Sequence, residues 1–347
     1  MTVDGRRDVP VGSTMPRVAI VVINWNDADT TLRCLQSLRA TDYANRTVIV
    51  VDNGSTDGSA ARVAAAEPGI DLVINPENLG FTGGVNAGMR RAMETGADFV
   101  WLLNSDAVTA PDVLSRLVAA AETDPGIGLV SPVLHDLDHP DAPEICLARF
   151  DPDARIATQT ADPTTAQRWL REHPQEVILV GTALLVRRAL IETIGLLDPQ
   201  FFAYVEDVDY SLRCHAAGFK AVAVPDAVVL HTFKQPVETP GAVPPYLHYF
   251  MTRNYLLLWR KLPPPVLRRK ASLWFLRQRL AQIARMPDQP AAIEAVLSGL
   301  RDGVLGIGGP YQPERRAPWL LRWLLGRHPR FWLALLDGRL PFRPTRG

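Results

Sequence analysis

Short apolar segments alternate with amphipathic ones along the first hundred residues. RVAIVVINWN (17–26) and DFVWLLNSD (98–106) have continuous apolar centres with polar residues at their ends, which is typical of parallel strands buried on both faces. Leu32, Leu35 and Leu38 recur at helical spacing after the first run. The alternation continues through RTVIVVD (46–52), AARVAAAE (60–67), DLVINP (71–76) and NAGMRRAMETG (86–96). This order predicts an α/β fold whose parallel strands are joined by right-handed crossovers.

Polar residues follow three of these strand patterns at the point where each ends. They are Asn24 and Asn26, Asp52 and Asn53, and Asn104 and Asp106. Any one of them is also typical of an ordinary turn. Three strands ending in this way favour a functional site, because ligands of open α/β sheets bind at the carboxyl ends of the strands.

Composition indicates a globular protein, and charge divides the chain. The 347 residues are 47% hydrophobic and have a formal net charge of zero. From Arg253 to Gly347, 18 Lys or Arg residues stand against 5 Asp or Glu residues. This asymmetry predicts a boundary near residue 250. We expect a flexible tail over residues 1–15, an α/β domain over 16–252, and a basic, Trp-rich helical region over 253–347.

Two further features bear on location. Cys34, Cys146 and Cys214 are far apart in sequence and form no CxxC pair, which suits a reduced compartment better than a disulfide framework. The first fifteen residues have no signal-peptide pattern, and no apolar run approaches the roughly 20 residues of a membrane span. We therefore expect a cytoplasmic protein, and we expect no nucleic-acid partner.

The glycine-rich stretch NLGFTGGVNAG (78–88) differs from the common phosphate-binding loops. It has no Lys-Ser/Thr pair, as a P-loop would, and no GxGxxG spacing. Two interpretations stay open: a permissive turn before a helix, or a backbone segment that closely approaches a ligand at the helix N-terminus.

Taken together, five motifs resemble a known family. VVINWN, VVDNGSTDGS, NLGFTGGVNAG, LLNSDAVT and FAYVEDVDYSLRCHAAGF occur in the order and approximate spacing of inverting family 2 glycosyltransferases, especially the bacterial rhamnosyltransferase-like branch. The resemblance covers roughly residues 17–255. It implies the glycosyltransferase A-type (GT-A) fold, with a mostly parallel central sheet, followed here by a helical extension.

The resemblance also implies a metal site for the leaving diphosphate. The segment NSD is similar to the family's DXD motif with Asn104 in place of the first acid, so Asp106 is the implied metal-binding carboxylate. His231 follows another apolar strand where related enzymes place a metal-binding histidine, although a structural histidine is the alternative. Oxygen ligands suit Mg²⁺ or Mn²⁺, and imidazole is acceptable to Mn²⁺.

Further roles follow from the same resemblance. Asp207 is the implied catalytic base and Glu206 the fallback; alternatively, acids at this helix start only complement the helix dipole. Asp52 resembles the residue that binds the pyrimidine base, which favours UDP- or dTDP-sugar donors. The predicted donor contacts are Asn24, Asp52, Asn86, Asn104 and Arg253, the last also explicable as a solvent-facing helix residue.

The C-terminal region combines arginines with five tryptophans from Trp259 onward. This pattern favours contact with an anionic membrane surface on the cytoplasmic side; packing onto the sheet and a homo-oligomer face are the alternatives. The sequence therefore predicts a metal-dependent glycosyltransferase that moves a sugar, rhamnose by branch resemblance, to a glycan or polyprenyl-linked acceptor. A sugar-nucleotide-binding scaffold without catalysis and a sugar-nucleotide pyrophosphorylase are the competing hypotheses.

Overall fold

The apolar runs of the first hundred residues form four neighbouring parallel strands, as predicted. We describe a computed structural model of the chain that covers residues 15–232, 243–262 and 268–337. The first elements are β1 (Val18–Asn24), α1 (Ala28–Arg39), β2 (Arg46–Asp52), α2 (Ser59–Ala66), β3 (Asp71–Ile74), α3 (Gly80–Glu94) and β4 (Phe99–Asn104). The alternation of strands and helices in the sequence is therefore confirmed.

The following elements widen the sheet and add a small second one. They are β5 (Ala107–Thr109), α4 (Val113–Glu122), β6 (Ile127–Asp136), β7 (His139–Ile145), β8 (Leu147–Asp151), β9 (Ile156–Thr160), α5 (Pro163–Glu172), β10 (Val177–Ile178), β11 (Ala183–Arg187), α6 (Arg188–Ile194), α7 (Glu206–Ala216) and β12 (Lys220–His231). Short 3₁₀ turns occupy Pro174–Glu176 and Pro199–Phe201.

The main sheet is mixed but mostly parallel at its centre. Its strand order is β3-β2-β1-β4-β11-β6-β12-β5, with β7 paired to β6. Strands β3, β2, β1 and β4 are parallel, whereas β11 runs antiparallel between β4 and β6. The short β5 pairs antiparallel with the end of β12. Strands β10, β8 and β9 form the antiparallel second sheet.

Both faces of the central strands are buried, which explains why their sequences are apolar throughout. Val18, Ile20 and Val22 of β1 face a core shared with α1 and α4. Ala19 and Val21 face the opposite core, which is shared with α3, α6 and α7. Helices therefore cover the sheet on both sides, and the carboxyl edges of the strands are where polar side chains collect.

Most of the glycine-rich stretch is helical. The interpretation of residues 78–85 as a turn before a helix is therefore wrong from Gly80 onward. Helix α3 already begins at Gly80. A Cβ on Gly88 would lie 2.2 Å from Cγ1 of Val21, and one on Gly84 would lie 3.3 Å from Cγ2 of Ile23. These glycines allow α3 to pack closely on β1.

The C-terminal region is helical, as predicted. It contains α8 (Pro245–Lys261), α9 (Arg268–Ala284), α10 (Pro290–Leu305), α11 (Trp319–Leu321) with a π-helical continuation (Arg322–Gly326), and α12 (Pro329–Leu336). Gly299 and Gly303 of α10 allow close packing on α8, since a Cβ at either position would come within 2.7 Å of α8 atoms. Trp259 of α8 donates from Nε1 to the carbonyl of Arg155, beside β9 (2.7 Å).

The predicted boundary between residues 252 and 253 falls within α8, so one helix spans both predicted regions. Residues 1–14 of the predicted N-terminal tail lie outside the described residues. In the described ranges, no helix combines the length and apolar composition required to cross a membrane.

Candidate active site

The ends of β1 and β2 form a buried polar pair. Asn24 lies opposite Asp52 in the parallel register and donates from Nδ2 to Oδ1 of Asp52 (2.7 Å) and to Oγ of Ser55 (3.2 Å). Thr31 donates to Oδ1 of Asn24 (2.7 Å), and the backbone N–H of Ser55 donates to Oδ2 of Asp52 (3.0 Å). Asp52 is 2% exposed. The pair is thus held in place by its own partners.

Asn53 organises the segment that leads into α3. Its Nδ2 donates to Oδ1 of Asn78 (3.1 Å) and to the carbonyl of Gly80 (3.0 Å). Its Oδ1 accepts from Nδ2 of Asn75 (2.9 Å). The sequence placed Asn53 at the strand end but gave no sign of this amide network, because its members come from three separate positions along the chain.

Asp106 and His231 meet because β5 folds back against the end of β12. His231 pairs with Ala107 in the antiparallel register, and its Nε2 lies 3.1 Å from Oδ1 of Asp106. Asn104 ends β4 beside Ile23 of β1. The structure therefore places Asn24, Asp52, Asn104, Asp106 and His231 at the carboxyl edge of the sheet.

The donor set at this edge fits a hard divalent cation that is shared with a ligand. Within the described residues, no group of three or more His, Cys, Asp or Glu side chains is arranged to hold a metal by itself. Asp106 and His231 offer one carboxylate and one imidazole, and the amide oxygen of Asn104 is near in sequence. Mg²⁺ usually takes one or two protein carboxylates and completes its shell with water and substrate phosphates.

The second acidic group lies at the start of α7. Glu206, Asp207 and Asp209 occupy its first turn. Asp209 is 2% exposed and pairs through Oδ2 with Nε of Arg213 (2.8 Å) and through Oδ1 with Nζ of Lys261 (2.5 Å). Its carboxylate is committed to this ion pair network, which ties α7 to the end of α8. The acids that appear equivalent in sequence are therefore different in the structure.

Glu206 and Asp207 have no comparable cationic partners in the described part of the chain. Oδ2 of Asp207 accepts from the backbone N–H of Gly181 (3.1 Å), and Oδ1 accepts from that of Val208 (2.8 Å). Glu206 is buried, and its Oε2 has no hydrogen-bond partner among the described residues. The structure thus provides two weakly compensated carboxyl groups on one helical turn.

Burial is the main cause of the altered acidity of both groups. It raises the pKa of Glu206 well above its usual range, and the charge of Asp207 raises it further. Burial also raises the pKa of Asp207, and the N–H groups of Gly181 and Val208 oppose that shift. A carboxyl with a raised pKa is a better proton acceptor when ionised, as a general base requires.

One short segment connects the two acidic groups. Gly181 donates its N–H to Asp207, and the carbonyl of the next residue, Thr182, accepts from the backbone N–H of Asn104 (2.9 Å). Phe81 of α3 is also close, since a Cβ on Gly181 would lie 3.8 Å from its Cε1. Gly181 and Thr182 therefore contact both the start of α7 and the end of β4.

Asn86 and Arg253 are not brought into this group. Asn86 lies on the buried face of α3, where its Nδ2 donates to the carbonyl of Leu197 (2.8 Å) and its Oδ1 accepts from the N–H of the same residue (3.1 Å). Arg253 is fully buried in α8, and its guanidinium donates to backbone carbonyls, including that of Phe201 (2.7 Å). The solvent-facing alternative for Arg253 is wrong.

Comparison with known proteins identifies what this arrangement resembles. The sequence profile described as "Glycosyltransferase like family 2" matches residues 16–243. An N-acetylglucosaminyl-diphospho-decaprenol L-rhamnosyltransferase of Mycobacterium tuberculosis (strain CDC 1551 / Oshkosh) is 30% identical over 263 residues, which are 70% of this chain and 86% of the relative. The family and the rhamnosyltransferase-like branch indicated by the five motifs are confirmed.

Solved structures confirm the predicted fold. A mannosyltransferase from Pyrobaculum calidifontis, in complex with GDP-Man and Mn²⁺, is similar with a TM-score of 0.53 at 21% identity, over 96% of this chain and 88% of that one. S. aureus TarS 1-349, in complex with UDP-GlcNAc, gives a TM-score of 0.54 at 15% identity, over 93% of this chain and 89% of that one. At these identities the likeness shows the GT-A-like fold alone.

Proposed function

The chain belongs to glycosyltransferase family 2, and on that premise we propose that it is an inverting, metal-dependent hexosyltransferase. The donor is a UDP- or dTDP-sugar, with dTDP-rhamnose the first candidate. The acceptor is a glycan or polyprenyl-linked glycan of cell-envelope polysaccharide synthesis, by analogy with the decaprenol-linked substrate in the name of the mycobacterial relative. The proposal rests on one observation. Asp106, which pairs with His231, closely follows Asn104 in the chain. The backbone N–H of Asn104 donates to the carbonyl of Thr182, and the neighbouring Gly181 donates its N–H to Asp207. The pair and the Asp207 carboxyl are thus linked through one short segment.

We assign donor binding to the carboxyl edge of the sheet. Asp52 is oriented by Asn24 and Ser55, and each of its oxygens retains acceptor capacity for the ring N–H of uracil or thymine. Asn24 is the orienting residue in this arrangement, and Asn104 extends the same edge towards the diphosphate. Asn86 and Arg253 have their polar atoms bound elsewhere, so we assign them no donor contact.

Asp106 and His231 are the residues that would hold Mg²⁺ or Mn²⁺, with Asn104 as a further oxygen ligand. When bound, such an ion neutralises the charge that develops on the departing diphosphate. The protein's own contribution is to place the carboxylate and the imidazole 3.1 Å apart, on strands that are fixed by the sheet. The relative that was solved with Mn²⁺ has the same fold and supports a divalent ion in this role.

Asp207 is the proposed base, because it is half-buried and hydrogen-bonded by two backbone N–H groups. In an inverting transfer, the acceptor hydroxyl gives its proton to this carboxylate as its oxygen attacks the anomeric carbon from the face opposite the departing nucleoside diphosphate. The raised pKa favours proton uptake at that moment.

The proposal is tested by a donor panel. Purified protein is incubated with UDP- and dTDP-sugars, Mn²⁺ or Mg²⁺, and a polyprenyl-diphosphate-linked amino sugar, and release of nucleoside diphosphate and product mass are measured. We expect release with at least one pyrimidine donor that depends on acceptor and is abolished by excess EDTA. The absence of acceptor-dependent release from every donor would contradict the proposed activity.

The C-terminal helices are proposed to bring the enzyme to an anionic membrane surface on the cytoplasmic side. Trp319, Trp323 and Phe331 are 70%, 50% and 51% exposed, and Arg327 and Arg330 are exposed beside them in sequence. Aromatic rings and basic residues on short helices suit the boundary between headgroups and acyl chains. A homo-oligomer face is the alternative use of the same surface.

Vesicle sedimentation separates these uses. The full chain should bind vesicles that contain anionic lipid more tightly than neutral vesicles, and added salt should weaken binding because it screens the charges. Changing Arg315, Arg316, Arg322, Arg327 and Arg330 to Gln should greatly reduce binding. Changing Arg33, Arg62, Arg90, Arg116 and Arg171 to Gln is the control, with an equal change of net charge on exposed residues of the α/β domain. Equal loss in both variants would contradict a C-terminal membrane surface.

A further inference from the structure

The segment immediately before α7 has an unusual backbone. Phe202, Tyr204 and Val205 have φ angles of 63°, 68° and 71°. Left-handed backbone is unfavourable for residues other than glycine, and for a β-branched residue such as Val205 it is a strong outlier. Such conformations persist only where the surroundings impose them, and they are concentrated at functional sites. Here they lie directly before Glu206 and Asp207.

Asn254 of α8 holds this segment through its side chain. Its Nδ2 donates to the carbonyls of Phe201 (3.0 Å), Ala203 (2.7 Å) and Tyr204 (2.7 Å). The amide nitrogen has only two hydrogens, so two of the three carbonyls share one hydrogen. Its Oδ1 accepts from Nε of Arg253 (2.7 Å), which fixes the orientation of the amide.

Arg253 extends the same contact surface. Its Nη2 donates to the carbonyls of Phe201 (2.7 Å) and Gln200 (3.3 Å), and its Nη1 donates to the carbonyl of Gly309. The guanidinium also lies 5.0 Å from the ring centre of Phe250. Both Arg253 and Asn254 have no exposed surface. We refer to these two residues as the Arg253–Asn254 clasp.

The clasp is itself fixed by helix α10. Tyr249, one turn before Arg253 on α8, donates its hydroxyl to Oδ2 of Asp302 (2.8 Å), and Arg301 donates to both oxygens of Asp302 (2.7 and 2.8 Å). The absence of a side chain at Gly299 allows α10 to approach α8 at this level. Helices α8 and α10 together therefore hold the segment that leads into the α7 acids.

We propose that Arg253 and Asn254 are positioning residues that impose the left-handed backbone of Phe202, Tyr204 and Val205 and thereby set the place of the Asp207 carboxyl against Gly181. This inference rests on the proposed function, because it takes Asp207 as the base. It gives the C-terminal region a role in turnover that is independent of any membrane contact. It also replaces the predicted contact of Arg253 with the donor diphosphate.

Two substitutions remove the clasp with little change in volume. In Asn254→Asp the acceptor to Arg253 is retained, but the donors to the three carbonyls are lost. In Arg253→Lys the positive charge is retained, but the planar fork that reaches several carbonyls is lost. Thr252→Val is the matched control: Thr252 is fully buried on the same helix, its Oγ1 has no hydrogen-bond partner among the described residues, and it faces Gly299 of α10.

The experiment measures kcat and KM for transfer, together with the affinity and stoichiometry of nucleoside diphosphate binding by calorimetry and the melting temperature. We expect kcat to fall roughly tenfold to a hundredfold in both clasp variants, because small displacements of a catalytic group are costly. Binding of the nucleoside diphosphate should retain wild-type stoichiometry and an affinity within about twofold, since the sheet edge is not altered. Thr252→Val should retain kcat.

Other outcomes would overturn the inference. A merely structural role would lower the binding stoichiometry in parallel with kcat, and a role at the diphosphate would weaken nucleotide affinity in Arg253→Lys. A kcat within twofold of wild type in a folded clasp variant would also reject it. If Asn254→Asp does not fold, Arg253→Lys carries the test alone. Failure of the proposed function is distinguishable, since the wild-type protein itself would then show no transfer.

Discussion

The carboxyl edge of the sheet and the start of α7 both present acids, but the two regions are built differently. At the sheet edge, Asn24, Asp52 and Ser55 satisfy one another on regular strands and the turn that follows. At the start of α7, the backbone is left-handed at Val205, and Oε2 of Glu206 has no partner among the described residues. Polar groups that bind a ligand benefit from being fixed before it arrives.

The difference also separates binding from proton transfer. A carboxylate that is fully hydrogen-bonded or ion-paired is stabilised in its charged form, whereas a buried one with few partners takes up a proton more readily. Asp209, on the same turn as Glu206 and Asp207, differs from them in geometry because Arg213 and Lys261 pair with it. The α7 turn therefore contains, within four residues, an acid with two cationic partners and two acids without one among the described residues. Substitutions can test whether function follows this division.

The largest expected effect is that of Asp207→Asn. The amide keeps the shape but cannot accept the proton, so kcat should fall by roughly 10² to 10⁴-fold while donor affinity is retained. Steady-state kinetics and donor-binding calorimetry measure the two quantities. Asp209→Asn is the matched control; it should lower the melting temperature by breaking a buried ion pair and leave kcat of the folded protein near wild type. A parallel loss of donor affinity in Asp207→Asn would assign Asp207 to binding instead.

A smaller loss is expected for Asp106→Ala at the sheet edge. Without this carboxylate the divalent ion is held mainly by His231 and the donor, so kcat/KM should fall by roughly tenfold to a hundredfold and more Mn²⁺ should be needed for half-maximal activity. A metal titration of activity and of donor binding checks both. Asp112→Ala, which removes a half-buried acid on the adjoining segment that pairs with Arg116, should change neither. If Asp106→Ala retained wild-type activity in excess EDTA, the assignment of a metal site to this edge would be contradicted.

The smallest effect on turnover is expected for Glu206→Gln, which should stay within about threefold of wild-type kcat if Asp207 is the base. Its effect should instead appear in stability. Because burial raises the pKa of Glu206 in the folded state, the folded protein binds more protons than the unfolded chain between the ordinary carboxyl pKa and the raised value. The free energy of unfolding therefore decreases as the pH rises through that window, and Gln removes this contribution.

Thermal unfolding at about pH 5 and about pH 8 measures that contribution. The stability of Glu206→Gln relative to wild type should increase with pH, and the exposed Glu172→Gln should show no such trend. A hundredfold loss of kcat in Glu206→Gln with Asp207→Asn still active would make Glu206 the base.

Most of the sheet edge could be predicted from the sequence, whereas the division of the α7 acids could not. Asn24, Asp52 and Asn104 each follow an apolar run, so their positions depend on where a strand ends, and strand ends are marked locally. The partners of Asp209 include Lys261, more than fifty residues later, and no local pattern indicates that contact. Arg253 is the clearest case: a single arginine on a helix gives no sign that the helix packs that face against residues 200–204.

The sequence by itself determined the order of strands and helices, the family, and the residues that stand at the strand ends, because apolar periodicity and turn chemistry act over a few neighbouring residues. Only the tertiary structure decided that Gly84 and Gly88 allow α3 to pack on β1, that β5 carries Asp106 to His231, and that α8 holds the backbone before Asp207. These outcomes depend on which surfaces are buried together. Burial also sets the pKa of Glu206 and Asp207, since desolvation arises from the whole surrounding fold rather than from adjacent residues.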